Sequence, residues 1–236
     1  LQFYLDILNG CQPSDTECIK YTRGAISANF FRSPEFQRKG SFVMYLYMVS
    51  LGQRPVTPAE LNDQTKIDRP HYAEFIADLQ SISDPTDDPA IGEAKKVALT
   101  DAWMQRTEMQ NRYGGLSNAA FVQKLLDTAG VTLANQSALV DDLNAARKTR
   151  AQVLRAIAES PDVNNKFYKQ AFVTMEYFGY LHRDPETCVG SPDPANCGYI
   201  FHNSRFQLAA DPDFLENTIV RGFIESPEYR QRFGQP

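Results

Sequence analysis

Ala171-Phe-Val-Thr-Met-Glu-Tyr-Phe-Gly-Tyr-Leu-His-Arg-Asp-Pro185 is apolar on almost every side. At helical spacing this pattern predicts a helix buried all round rather than an amphipathic surface helix. Ser160-Pro-Asp162 provides a helix start ahead of it, and a turn at Arg183-Asp-Pro185 ends it. The same order occurs earlier, from Ser33-Pro-Glu35 through Phe42-Val-Met-Tyr-Leu-Tyr-Met-Val-Ser-Leu-Gly-Gln-Arg-Pro55. Phe42–Pro55 and Phe172–Pro185 are equal in length, and together they read as an internal repeat.

Outward from these two runs, helix starts recur and strand signals are scarce. Ser14-Asp-Thr-Glu17, Thr57-Pro-Ala-Glu60 and Thr149-Arg-Ala-Gln152 have capping-box spacing, in which a hydroxyl and an acid or amide satisfy orphan amides reciprocally. Ser33-Pro34, Ser160-Pro161, Asp211-Pro212 and Ser226-Pro227 place a good N-cap before proline at the first helical position. No Asn-Gly or Asp-Gly hairpin lies between alternating runs. The expected fold is all-α, a helical repeat or bundle. The spacing predicts helices from about 15 to 31, 33 to 51, 72 to 79 and 91 to 112, and a stripe of Phe121, Val122, Leu125, Leu126 and Ala129 stopped by Gly130. Further helices are expected over 136–146 and 149–159. The Pro- and Asp-rich stretch 80–92 suggests a division into an N-terminal repeat unit, 1–83, and C-terminal repeat units, 84–236, expected to pack as one body.

The totals are those of a globular chain, with 42% hydrophobic and 22% charged residues. Net charge is −5 with both signs interspersed, which argues against a nucleic-acid partner and its basic face. The longest stretch without a charged residue, Gly40 to Gln53, is shorter than the ~20 apolar residues of a spanning helix. Leu1 falls inside a helical pattern, so the chain is expected to be a mature product or fragment whose first helix has lost a partner. Cys11 and Cys18 bracket one short polar loop, and Cys188 and Cys197 another. An even count in two matched loops predicts two disulfides and an oxidising, extracellular setting. Neither spacing suits a zinc site.

The repeat order carries a resemblance. Ser33-Pro-Glu-Phe36, Ser160-Pro-Asp-Val163 and Ser226-Pro-Glu-Tyr229, with Phe42–Pro55, Phe121–Val131 and Phe172–Pro185 between them, resemble the secreted bacterial family catalogued as domain of unknown function 4214. Tyr177–Pro185, Gly198-Tyr199 and Glu228–Gly234 are similar to that family's usual ending, and the likeness covers most of the chain apart from about 60–115. The resemblance implies a helical repeat distantly similar to the linker domains of cyanobacterial antenna complexes, export as part of a longer surface protein, and no catalytic residues. His202 stands where the family tends to place tryptophan.

Chemistry-bearing residues are sparse. His71, His182 and His202 are scattered, and no His-Glu-x-x-His, Gly-x-Ser-x-Gly or phosphate-cradling glycine loop occurs. No cofactor motif is present, and no catalytic residue is assigned. Asp84, Asp87 and Asp88 could bind Ca2+, although the interleaved prolines and the missing EF-hand spacing favour a solvated loop. The aromatics of the repeats are core at this spacing. Tyr177, Tyr180, His182, Tyr199 and His202 are nevertheless the candidates for a ligand or partner surface. The sequence thus points to a non-enzymatic extracellular or cell-surface interaction module with protein partners or copies of itself. A carbohydrate- or small-ligand-binding module is the alternative, and a hydrolase with an unrecognised site comes third.

Overall fold

The computed structural model describes residues 2–31, 33, 37–84, 88–207 and 212–233. Among the described residues the chain is helical with no strands. The helices are α1 (Gln2–Asn9), α2 (Thr16–Phe31), α3 (Phe42–Ser50), α4 (Tyr72–Ile82), α5 (Pro89–Gln105), α6 (Thr107–Tyr113) and α7 (Asn118–Ala129). They continue with α8 (Gln136–Asn144), α9 (Arg150–Ala158), α10 (Pro161–Glu176), α11 (Gly198–Gln207), α12 (Pro212–Ile224) and α13 (Pro227–Phe233). A π-helical turn, Gln37–Ser41, leads into α3, and another, Tyr177–Leu181, extends α10.

The chain folds as two compact units. Unit 1 comprises Leu1–Arg38, Val56–Pro58 and Phe172–Pro236, and unit 2 comprises Lys39–Pro55 and Ala59–Ala171. The expected boundary at 83/84 lies inside unit 2. The helices on either side of it, α4 and α5, pack against each other, so the break in composition there is not a change of core.

Each unit is built around one of the two apolar runs. In unit 2 every residue of α3 is buried, with α4, α7 and α9 packed against it. In unit 1 Phe172 through Phe178 are all buried. Both runs end at the same repeat position in a residue of positive φ, Gly52 at 120° and His182 at 48°. Only a left-handed residue lets the chain turn off the helix there, which glycine accepts without strain.

The duplication extends beyond these runs into the stretch that the family likeness, which passes over about 60–115, did not cover. Leu99-Thr-Asp-Ala-Trp-Met-Gln-Arg-Thr-Glu-Met-Gln-Asn-Arg-Tyr-Gly114 aligns without gaps on Ile219-Val-Arg-Gly-Phe-Ile-Glu-Ser-Pro-Glu-Tyr-Arg-Gln-Arg-Phe-Gly234. Trp103 meets the Tyr47 ring edge-on at 4.6 Å and 84°, and Phe223 meets Tyr177 at 4.8 Å and 86°. Tyr47 and Tyr177 occupy the same place in the two apolar runs, five residues after Phe42 and Phe172. The second helix of each segment then closes the end of its buried run. Arg112 donates to the carbonyls of Ser50 (3.1 Å) and Leu51, and Arg232 donates to that of Leu181.

Several local expectations hold. Thr149 and Gln152 form the reciprocal capping box, with Gln152 N–H donating to Thr149 Oγ1 at 3.2 Å and Thr149 N–H to Gln152 Oε1 at 2.8 Å. Ser160 and Ser226 cap α10 and α13, and Gly130 ends α7 in the left-handed region. Others change. The cap of α2 is Asp15, whose carboxylate accepts from Cys18 N–H at 2.9 Å, rather than Ser14. Thr57 leads only into the short 3-10 turn Pro58–Asn62. The helix expected over 91–112 is two helices, because Arg106 adopts an extended backbone (ψ 140°) between α5 and α6. Arg106 stands where the other copy has Ser226, the cap before Pro227, so the break carries no proline of its own. Of Ser33-Pro-Glu-Phe36, residues 34–36 lie outside the described residues.

Both expected disulfides are present, Cys11–Cys18 and Cys188–Cys197, each with Cα atoms 5.7 Å apart. Both belong to unit 1. No described helix is long and apolar enough to cross a membrane.

Candidate functional site

In unit 2 the packing of α4, α5 and α6 around the hydroxyl end of Tyr47 leaves an open cleft of about 590 Å3. It is lined by Arg69, Glu74, Asp78, Arg106, Glu108 and Asn111, with the Tyr47 side chain at its floor. These charges meet in two sets. Tyr47 donates to Asp78 Oδ2 at 2.7 Å, and the Arg106 guanidinium, stacked 3.9 Å over the Trp103 ring, pairs with Asp78 Oδ1. Arg69 spans two carboxylates, with Nη2 2.7 Å from Glu74 Oε1 and Nη1 on Glu108 Oε2. Its guanidinium also sits 5.8 Å from the Tyr47 ring centroid.

The electrostatics follow from this pairing. Burial pushes the Tyr47 hydroxyl well above the ordinary range, and its bond to Asp78 raises it further, so the phenol is a permanent donor. Burial alone would raise the Glu74 carboxyl, but the His71 N–H and the Arg69 guanidinium outweigh it and hold the group below its usual value. Burial would likewise lower Arg106, and Asp78 more than offsets that. The hydrogen-bonding capacity that the cleft could offer a ligand is largely spent on its own walls.

Unit 1 repeats the arrangement at Tyr177. Arg183 lies 5.1 Å from that ring and spans Glu186 (2.9 Å) and Glu228 (2.8 Å), as Arg69 spans Glu74 and Glu108. Glu108 and Glu228 are the aligned glutamates of the two duplicated segments. Burial, then the charge of Glu186, raises the Tyr177 hydroxyl strongly. A Cβ on Gly198 would come within 2.8 Å of that hydroxyl, so α11 can begin where it does only with glycine at that position. Arg183 holds Glu228 below the usual carboxylate range.

The five residues expected to form a ligand or partner surface divide. Tyr177 and Tyr199 are core, each 2% exposed, with the Tyr199 hydroxyl 3.2 Å from Thr174 Oγ1. An all-round apolar helix has no outward face on which Tyr177 could stand. His202 is half-buried against Phe223 and Phe201, and burial lowers its pKa from 6.5. Tyr180 and His182 do reach the surface, where α13 joins them. Tyr180 meets Tyr229 at 6.0 Å, Tyr229 meets Phe233 at 4.9 Å, and the exposed His182 ring meets Phe233 at 5.3 Å. Tyr229 and Phe233 carried the family likeness in sequence but were not among the surface candidates, although their place beside the repeated Arg-aromatic-Gly ending was a usable signal.

Of the Ca2+ candidates, Asp84 accepts from Asp88 N–H at 3.0 Å and Asp88 caps α5 through Ala90 N–H at 2.8 Å. Asp87 lies outside the described residues. Among the described residues no cluster of three or more His, Cys, Asp or Glu side chains is arranged to hold a metal ion.

Comparison with protein-family models, with curated proteins and with solved structures gives no match. The functional reading therefore rests on these residues.

Proposed function

We propose that this chain is a non-enzymatic structural and interaction module of a larger secreted bacterial protein, acting outside the cell or at its surface. The observation that carries the reading is the duplicated clamp. In both units an arginine ties two glutamates beside the buried tyrosine, and a second arginine locks the end of the apolar helix. Such ion-paired, hydrogen-bonded groups set geometry and stiffness, which suits a repeat protein that presents a rigid surface. The two disulfides suit an oxidising compartment. The resemblance of Tyr177–Pro185 and Glu228–Gly234 to the secreted family supports export and assembly with protein partners or further copies of the chain. Size-exclusion chromatography with light scattering, together with affinity capture from the envelope fraction of the source cell, tests it. A saturable envelope partner or a defined oligomer is expected. A strictly monomeric chain that captures nothing overturns the reading.

A further inference from the structure

Asp101 of α5 and Arg221 of α12 are aligned residues of the two duplicated segments. In unit 1 helix α2 lies over that position. A Cβ on Gly24 would come within 2.7 Å of Arg221 Cγ, and Glu17 pairs with the Arg221 guanidinium at 3.4 Å. In unit 2 Asp101 is exposed, and among the described residues it has no ion pair. The charge at this position is reversed, and what completes it in unit 2 must be a cation.

The surface around Asp101 is open. Ile91, Ala94, Val97, Ala98 and Ala102 are exposed and fall with Asp101 on one side of α5, Ile91 and Val97 being 42% and 41% exposed. Beside this face an open groove of about 490 Å3, lined by Val97, Thr100 and Ala156, runs between α5 and the start of α9. Its far rim carries Arg147 and Lys148, which share the Asp142 carboxylate at 2.8 Å each and stay 59% and 41% exposed. Two cations on one carboxylate leave that rim positive, across the groove from Asp101. The remaining charges are spent within the chain, because Arg155 holds Glu93 through both terminal nitrogens (2.6 and 2.7 Å) and Glu159 at 2.8 Å.

We infer that this face of α5 is the contact between two copies of the chain, related by a two-fold axis that passes over Val97. A surface with a cation on one rim and an anion on the other is complementary to itself. Rotation about the axis sets Asp101 of each copy against the Arg147–Lys148 rim of the other, so one patch supplies both charge pairs, as an isologous interface requires. Val97 and the alanines meet across the axis, and the charges fix the register. The 17 residues of α5 span about 25 Å. A helix pair of that length buries less than the roughly 1,600 Å2 of a standard interface, which sets the dimer in the micromolar range. The inference rests on the interaction-module reading and names a second copy as the partner.

Sedimentation velocity on the whole chain, from about 1 to about 300 µM, tests it. A monomer–dimer equilibrium is expected, and Val97→Glu should abolish it. Asp101→Arg and Arg147→Glu should each weaken the dimer roughly tenfold. Combined, they should restore it to within about threefold of the parent, because each reversed charge again meets its complement. All three side chains are exposed, so the variants should keep the parent's helicity, which circular dichroism verifies. A chain that stays monomeric at the highest concentration overturns the inference, as does a dimer that these single variants leave intact or that the double variant fails to restore. If the monomeric chain still captures an envelope partner, the module reading stands without this contact. A dimer through this face in a chain that turns over a substrate leaves the inference standing and removes only the module reading.

Discussion

Unit 1 and unit 2 build the same joint with different reinforcement. In unit 2 the joint at Tyr47 carries Trp103, Asp78 and the stacked Arg106, and α7 covers its far end. In unit 1 the joint at Tyr177 carries the smaller Phe223, with Ser226 in place of Arg106, and both disulfides of the chain lie in that unit. The comparison teaches that the tyrosine, an arginine that spans two glutamates beside its ring and the arginine at the helix end recur in both units, although Arg69 and Arg183 come from different places in the repeat. The Asp78–Arg106 pair and the cross-links are supports that differ between them.

The sharpest way to break this comparison is to empty the ring facing each tyrosine. Trp103→Ala should cost about 3–5 kcal/mol, because it opens a cavity and removes the bond that Trp103 Nε1 donates to Ser50 Oγ at 3.0 Å. Phe223→Ala should fall at or below the lower end of that range, since no such bond is lost. Urea unfolding checks the order of the two, and a larger loss for Phe223→Ala contradicts it. Removing a cross-link acts on one side only. Cys188→Ser with Cys197→Ser should cost about 2–3 kcal/mol through the freed loop, and hydrogen exchange should accelerate in unit 1 while α4 to α6 of unit 2 keep their protection.

Asp78→Asn tests the ion-paired support of unit 2. It leaves Arg106 without its charge partner, and the expected cost is about 2 kcal/mol, discounted from roughly 3–5 for a fully buried pair because Arg106 is 28% exposed. Gly52→Ala should cost about 1–2 kcal/mol, since alanine must take a φ of 120° and its Cβ would sit 3.3 Å from the Thr65 carbonyl. The smallest effect is that of pH. Glu74 and Glu228 have folded pKa values below their ordinary 4.5, so their contribution is complete above that value and is lost as pH falls through the folded one. Burial lowers His202 from 6.5, so the unfolded chain takes up that proton first and stability begins to decline as pH falls below 6.5. Thermal melts from pH 7.5 down to pH 3.5 should show a shallow decline below 6.5 and a steeper one below 4.5. A melting temperature that rises on acidification contradicts both assignments.

Much of this was legible in the chain. The two apolar runs announced their burial, the hydroxyl caps at 149, 160 and 226 announced helix starts, and cysteine spacing announced both cross-links. The second half of the duplication was harder to see. The Glu-x-x-x-Arg-aromatic-Gly endings at 108–114 and 228–234 match, but Arg106-Thr107 replaces the Ser226-Pro227 that would have marked a new helix. A side chain recruited to a distant carboxylate leaves no local signature. The five surface candidates were half-read for a related reason. Whether Tyr177 faces solvent depends on which helix packs over it, and Phe223 does so from far along the chain.

The central claim is that each buried run is held at its end by its own arginine. Hydrogen exchange read by mass spectrometry on Arg112→Ala and Arg232→Ala tests it most directly. The account predicts faster exchange around 47–52 in the first variant with 177–182 unchanged, and the reverse in the second. Equal acceleration of both segments by either variant, or of neither, would contradict it.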